Sequence, residues 1–159
     1  MLREGSNAKN AEIMYHFYIT VHAQPAAAAA GPQIELAGQK LRTLHVAPAD
    51  LGMTTMACSF EVARECLAGL ERMFSEPDGS FVWVSPQGDP VWQVDGNLYD
   101  RNERLLFVDA KGSCPPEEFD RLLTALGWPA TKLMFQLTRE AVFLDEAEFR
   151  RHALAAGST

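Results

Sequence analysis

The chain has 159 residues, of which 47% are hydrophobic and 22% charged, and carries a formal net charge of −7. That length and composition fit one globular domain able to bury a core without disulfide or metal staples. The acidic balance argues against a dedicated nucleic-acid module, which binds phosphate through Lys and Arg, but leaves open an enzyme that holds phosphate through a metal ion. Residues 1–11 are polar and predicted to be flexible. From Ile13, apolar residues (Ile13, Tyr15, Phe17, Ile19, Val21) alternate with Met14, His16, Tyr18, Thr20 and His22, the period of two expected of a strand. His16 and His22 share a face of that strand roughly 20 Å apart, too far for one metal ion. The alanine-rich stretch from Gln24 to Pro32 reads as a connection. Ile34 to Val46 is expected to be a hairpin turning near Gly38, with a short helix as the alternative, and Ala47 to Thr55 a loop.

Ala63, Cys66, Leu67, Leu70 and Phe74 recur at helical spacing, with Ser59 or Thr55 as cap and Pro77-Asp78-Gly79 beyond the end. Three strands are expected next: Phe81 to Val84, Val91 to Tyr99 and Leu105 to Lys111. Their connections are rich in turn formers. A second helix begins after Ser113, with Pro115 and Pro116 at its start and Phe119, Leu122, Leu123 and Leu126 as its stripe; Gly127 and Pro129 stop it. Lys132 to Thr138 reads as a strand. Asp145 opens a terminal helix, with Glu148 spaced as in a capping box. Residues 12–159 therefore read as a single α+β domain, a mixed or antiparallel sheet with two or three flanking helices. From residue 59 the order is helix-β-β-β-helix-β, and the N-terminal strand is expected to join the main sheet.

The charge is uneven: residues 1–50 carry four basic and four acidic groups, whereas residues 51–159 carry 17 acidic against 10 basic. Cys58, Cys66 and Cys114 are odd in number and widely spaced, neither a disulfide framework nor a zinc site, which points to reduced thiols in a cytoplasm. No run has the length to cross a membrane, and no segment has the layout of a secretory signal. Trp83, Trp92 and Trp128 are candidates for stacking on bases, with Trp92 and Trp128 read rather as packing residues, and Arg150-Arg151-His152 as cations suited to the end of the last helix. Cys114, beside the start of the second helix, is a candidate reactive thiol or simply a small residue before two prolines.

The chemically suggestive residues are Asp95 in QVDGNLYD, on the second of the three strands, and Asp109 and Lys111 in LLFVDAKG, ending the third. An acid followed by D-x-K, on strands between two helices, resembles the core of the PD-(D/E)xK nuclease superfamily over residues 59–138. The resemblance implies a magnesium-dependent phosphodiesterase acting on nucleic acid. Asp95 and Asp109 would be metal ligands, Lys111 the group that positions or deprotonates the attacking water, and Glu71, on the flank of the first helix, a further ligand. Strand geometry bears on the same residues. Asp109 and Lys111 are two apart and share a face, while Trp92, Val94 and Leu98 oppose Leu106, Val108 and Ala110 on the other. A three-residue loop, Arg101 to Glu103, then brings Asp95 opposite Asp109, about 5 Å away between Cβ atoms. The alternative is a non-catalytic acidic module that docks a basic protein partner. In it Lys111 neutralises the two acids as a structural ion-pair cluster, and Asp95-Gly96 reads equally as a bulge.

Overall fold

The computed structural model describes residues 13–88 and 91–157, so the polar segment 1–11 lies outside the described residues. The first strand, β1 (Tyr15–Ala23), is followed by a hairpin of β2 (Ala29–Leu36) and β3 (Gln39–His45). The hairpin turns at Ala37 and Gly38, both in the left-handed region, at φ 52° and 79°. The Ala47–Thr55 stretch, expected as loop, holds a short helix, α1 (Pro48–Met53). Next come α2 (Phe60–Ala68), β4 (Met73–Ser75), β5 (Ser80–Val84), β6 (Gln93–Arg101), β7 (Arg104–Cys114) and α3 (Pro116–Ala125). The chain closes with β8 (Leu133–Leu137), β9 (Val142–Asp145) and α4 (Glu146–Gly157).

The nine strands form one sheet in the order β2-β3-β9-β8-β1-β7-β6-β5-β4, with every pair antiparallel. The domain is therefore α+β, and the N-terminal strand lies in the middle of the sheet, between β7 and β8. The expected helix-β-β-β-helix-β core is not the arrangement found: four strands separate α2 from α3 and two follow α3, while the terminal helix expected from Asp145 is α4. The difference begins where α2 stops. Ser59 caps it, its Oγ accepting from the Val62 N–H at 3.1 Å. The helical period continues through Leu70 to Phe74, but Gly69 caps the helix and Arg72 takes φ 60°, so the chain turns into β4. Phe74 thereby leaves the core and is 60% exposed.

One face of the sheet is packed. Phe17, Ile19, Val94, Leu98, Val108 and Phe135 point from the strands to Leu67 of α2, Phe119 and Leu122 of α3, and Phe149 of α4. Phe119 takes the Tyr15 and Phe17 rings edge-on at 5.4 and 5.2 Å, and Phe135 stacks on Phe149 at 4.5 Å. Arg150 of α4 ties the helices together. It pairs with Asp120 of α3 at 2.7 Å and with Glu146 at 2.9 Å, its guanidinium 5.4 Å from the centre of the Trp128 ring. It thus serves packing rather than the helix C-terminus. Asp145 does cap α4, accepting from the Glu148 N–H at 2.9 Å, but Glu148 turns its own carboxylate to the Arg42 N–H instead of completing a capping box.

Candidate functional site

Asp95, Asp109 and Lys111 lie on the other face of the sheet, which the three longer helices leave uncovered. Strand alternation places them there, since Val94, Val108 and Ala110 point into the core. The register orders this face into rows of cross-strand neighbours. One row runs Phe74, Val82, Asp95, Lys111, Tyr18 across β4, β5, β6, β7 and β1. The next runs Ser80, Asn97, Asp109, Thr20, Gln136, Phe143. A third runs Tyr99, Phe107, His22, Met134. The rows grade from open to closed. Every member of the first is exposed, whereas Thr20 and His22 are 8% exposed and Met134 fully buried.

The expected pairing of Asp95 with Asp109 is corrected by one step. Asp95 faces Lys111, and Asp109 faces Asn97. The cause is local. The connection is a two-residue turn, Asn102-Glu103 at φ 52° and 69°, pairing Arg101 with Arg104, and a bulge beside Tyr99 and Asp100 then adds one residue on β7. The two carboxylates are therefore diagonal neighbours, positions whose Cα atoms lie roughly 7–8 Å apart. Gly96 is not the bulge. It pairs regularly with Ala110 and Phe81, and a Cβ there would run into the Phe81 ring and the Asp109 carbonyl.

Each member of the trio has its own partner. Asp109 accepts from the Tyr99 hydroxyl at 3.0 Å and from Thr20 Oγ1 at 3.3 Å, and this bond holds the Tyr99 phenol above its ordinary range. Asp95 accepts from Gln93 Nε2 at 2.9 Å. Lys111 Nζ sits 5.1 Å from the centre of the Tyr18 ring, with no carboxylate within 4.0 Å among the described residues. The direct ion-pair cluster expected as the alternative is thus replaced by a cation–π contact and hydrogen bonds to neutral donors. Glu71 stands apart. It follows α2 in the turn to β4, its carbonyl accepting from Trp83 Nε1 at 3.0 Å, beside Trp92 and Glu118 on the helix-covered side. It therefore lies across the sheet from the two aspartates, away from any ion they would hold. Among the described residues no three His, Cys, Asp or Glu side chains converge as a metal set.

Cys114 ends β7 rather than starting α3. It is buried, and burial together with Glu117, Glu118 and Asp120 pushes its thiol far up, the reverse of an activated nucleophile. His22 emerges as buried only in the structure. Stacked on Phe107 at 5.4 Å and edge-on to Phe143 at 5.7 Å, with Nε2 unpartnered, it has its pKa lowered by burial to about 4 against the pull of Asp109. Its alternation with Val21 put it on this face, but no sequence signal told of its burial. No described helix is long and apolar enough to cross a membrane. No family model, curated protein or solved structure matches the chain.

Proposed function

We propose that this chain is a non-catalytic interaction module that docks a basic protein partner on the uncovered sheet face. The observation that carries this reading is the exposed row Phe74, Val82, Asp95, Lys111, Tyr18. It joins two accessible aromatic rings, an accessible valine and a carboxylate across five strands, with Asp109 one row behind. Aromatic faces beside carboxylates suit lysine and arginine side chains, which gain cation–π and ionic contacts together. Lys111 on Tyr18 shows that contact within the chain itself. The charge distribution supports the same partner. Residues 59–126, which supply α2, β4 to β7 and α3, carry 13 acidic and 6 basic groups and so account for the entire net charge of −7. A field of that sign steers a basic surface toward this half of the molecule. The test is calorimetric titration with a peptide of alternating lysine and leucine, at low and physiological salt, on wild type, Asp95→Lys and Phe74→Asp. Salt-sensitive binding lost in both variants supports the reading. Binding indifferent to both, or none at low salt, removes it.

A second reading, a magnesium-dependent phosphodiesterase, is favoured by one observation: Asp95, Asp109 and Lys111 share an accessible face as neighbours. Magnesium takes one or two protein carboxylates and completes its shell with water, so Asp95 and Asp109 would be its protein ligands and Lys111 the cation beside them. Titrating magnesium or manganese into wild type and Asp109→Ala, with a cleavage assay on single- and double-stranded DNA and RNA, decides it. Metal-dependent cleavage lost in Asp109→Ala and Lys111→Ala would establish the enzyme.

A further inference from the structure

The exposed row ends at Tyr18, and beyond it the sheet is notched. β8 ends at Leu137 and turns through residues 138–141 into β9, so β1 is paired to β8 only from Ile19 onward. The Thr138 N–H donates to the Tyr18 carbonyl at 3.0 Å and closes the pairing there. Past that bond lies a cleft of about 450 Å³ between the start of β1, the end of β7, the β8–β9 turn and α4. That volume falls within the range of small-molecule sites, roughly 300–1,000 Å³.

Its lining divides into two parts. Phe17, Leu137 and Phe149, from the helix-covered side, supply an apolar floor continuous with the core, which the notch opens toward the face that carries Lys111 and Tyr18. Lys111 and Arg139 supply two cations at the mouth, both over the Tyr18 ring, at 5.1 and 5.6 Å from its centre. Among the described residues neither has a carboxylate within 4.0 Å. Lys111 reaches the ring from β7 and Arg139 from the β8–β9 turn, so two cations share one aromatic partner. Ser113, His16 and His152 add hydrogen-bonding groups to the wall. The lone acid of the lining, Glu140, acts on His152, opposing the lowering that burial imposes on that imidazole. In a chain of net charge −7 this is a locally cationic pocket.

The geometry points to a binding site for a small anion with an apolar body: a carboxylate or phosphate held by Lys111 and Arg139, its body lying against Phe17, Leu137 and Phe149. The site is distinct from the docking row, sharing only Lys111 and Tyr18 with it. Arg139 belongs to the cleft alone, and Phe74 to the row alone.

Calorimetry on the full chain tests it with four probes: phenylacetate, phenyl phosphate, inorganic phosphate and benzylamine. Saturable binding of phenylacetate or phenyl phosphate is expected, the better of the two identifying the head group. Benzylamine should not bind, and inorganic phosphate should bind more weakly than phenyl phosphate. Arg139→Gln and Lys111→Gln should each weaken the binding by about tenfold or more, the loss of a charge-assisted contact. Lys111→Arg should retain it. Phe74→Asp should abolish docking of the basic peptide and leave anion binding intact, so that the two proposals fail separately. Thermal melts of each variant establish that it is folded, and the His152 ring-proton shift reports occupancy without any activity. The site is refuted by no saturable binding of either aromatic anion, by equal binding of benzylamine, or by anion binding that survives Arg139→Gln together with Lys111→Gln. Inorganic phosphate binding as tightly as phenyl phosphate would overturn the apolar half of the assignment.

Discussion

The two faces of the sheet are written in the same strands and solve different problems. On β7, Val108 and Ala110 are 1% exposed beneath the helices, while the intervening Asp109 and Lys111 carry hydrogen bonds and charge on the other side. The covered face is uniform: apolar, aromatic and closed by α2, α3 and α4. The uncovered face is graded, from a buried imidazole among aromatic rings near the end of β1 to a row whose members are all exposed. Stability should therefore reside mainly on the covered face and recognition on the exposed row, with His22 in the closed part of the uncovered face.

The largest effect that would sharpen this contrast lies in the core. Phe119 touches the rings of Tyr15, Phe17, Phe135 and Phe149 and is fully buried. Phe119→Ala should cost about 4 kcal/mol by urea denaturation, from lost transfer energy and the cavity left behind. A cost near that of a surface substitution would mean that the helix layer is not what holds the sheet.

His22 gives the second effect. Its folded pKa of about 4 lies below the ordinary 6.5, so between those values the unfolded chain binds the proton that the native chain refuses. Stability contributed by neutral His22 is complete above pH 6.5 and is lost as pH falls toward 4, by roughly 3 kcal/mol in all. His22→Phe, which keeps an aromatic ring against Phe107 and Phe143, should remove this component. The stability difference between variant and wild type should shift steadily in the variant's favour from pH 7 to 4. A difference independent of pH would show that the imidazole titrates freely and that this corner of the face is open.

Third comes the clamp between α3 and α4. Arg150→Ala breaks the pairs to Asp120 and Glu146 and leaves the Tyr15 and Trp128 rings without their cation. Breaking a fully buried pair costs more, but Asp120 is 44% exposed and water takes up much of its charge. A loss of about 2 kcal/mol is expected, and Arg150→Lys should recover little, since an ammonium cannot span both acids and lie flat on the rings.

How much of this was legible in the sequence depends on range. The face shared by Asp95, Asp109 and Lys111 followed from a period of two, which no register shift of two residues can alter. The partner across the strand did not. Glu103 in the left-handed region gives none of the signal that an Asn-Gly turn would, and the bulge beside Tyr99 leaves no local mark. The overlong helix arose because Leu70 and Phe74 continue the helical spacing past Gly69, although the chain turns there into an edge strand. The start of β2 was hidden by its composition. Ala29 and Ala30 have little β propensity, and Gly31-Pro32 form an irregularity opposite Thr43, where Gly31 lets the Thr43 hydroxyl approach, a contact a Cβ would block. The notch beside Tyr18 draws on residues near 17, 112, 138 and 150, which only the strand order brings together.

The smallest expected change in stability is on the exposed row, and there the contrast between faces is most open to refutation. Phe74, Val82 and Asp95 all reach solvent in the free chain, so Phe74→Ser, Val82→Thr and Asp95→Asn should each move stability by no more than about 0.5 kcal/mol. The same substitutions should abolish binding of the basic peptide, because a contact surface of alternating apolar and charged groups depends on its few anchors. Stability unchanged with binding lost would separate the two faces. Stability lost with binding unchanged would make the row part of the framework, and Asp109, tied to Tyr99 and Thr20, would then be a structural group rather than a recognition one.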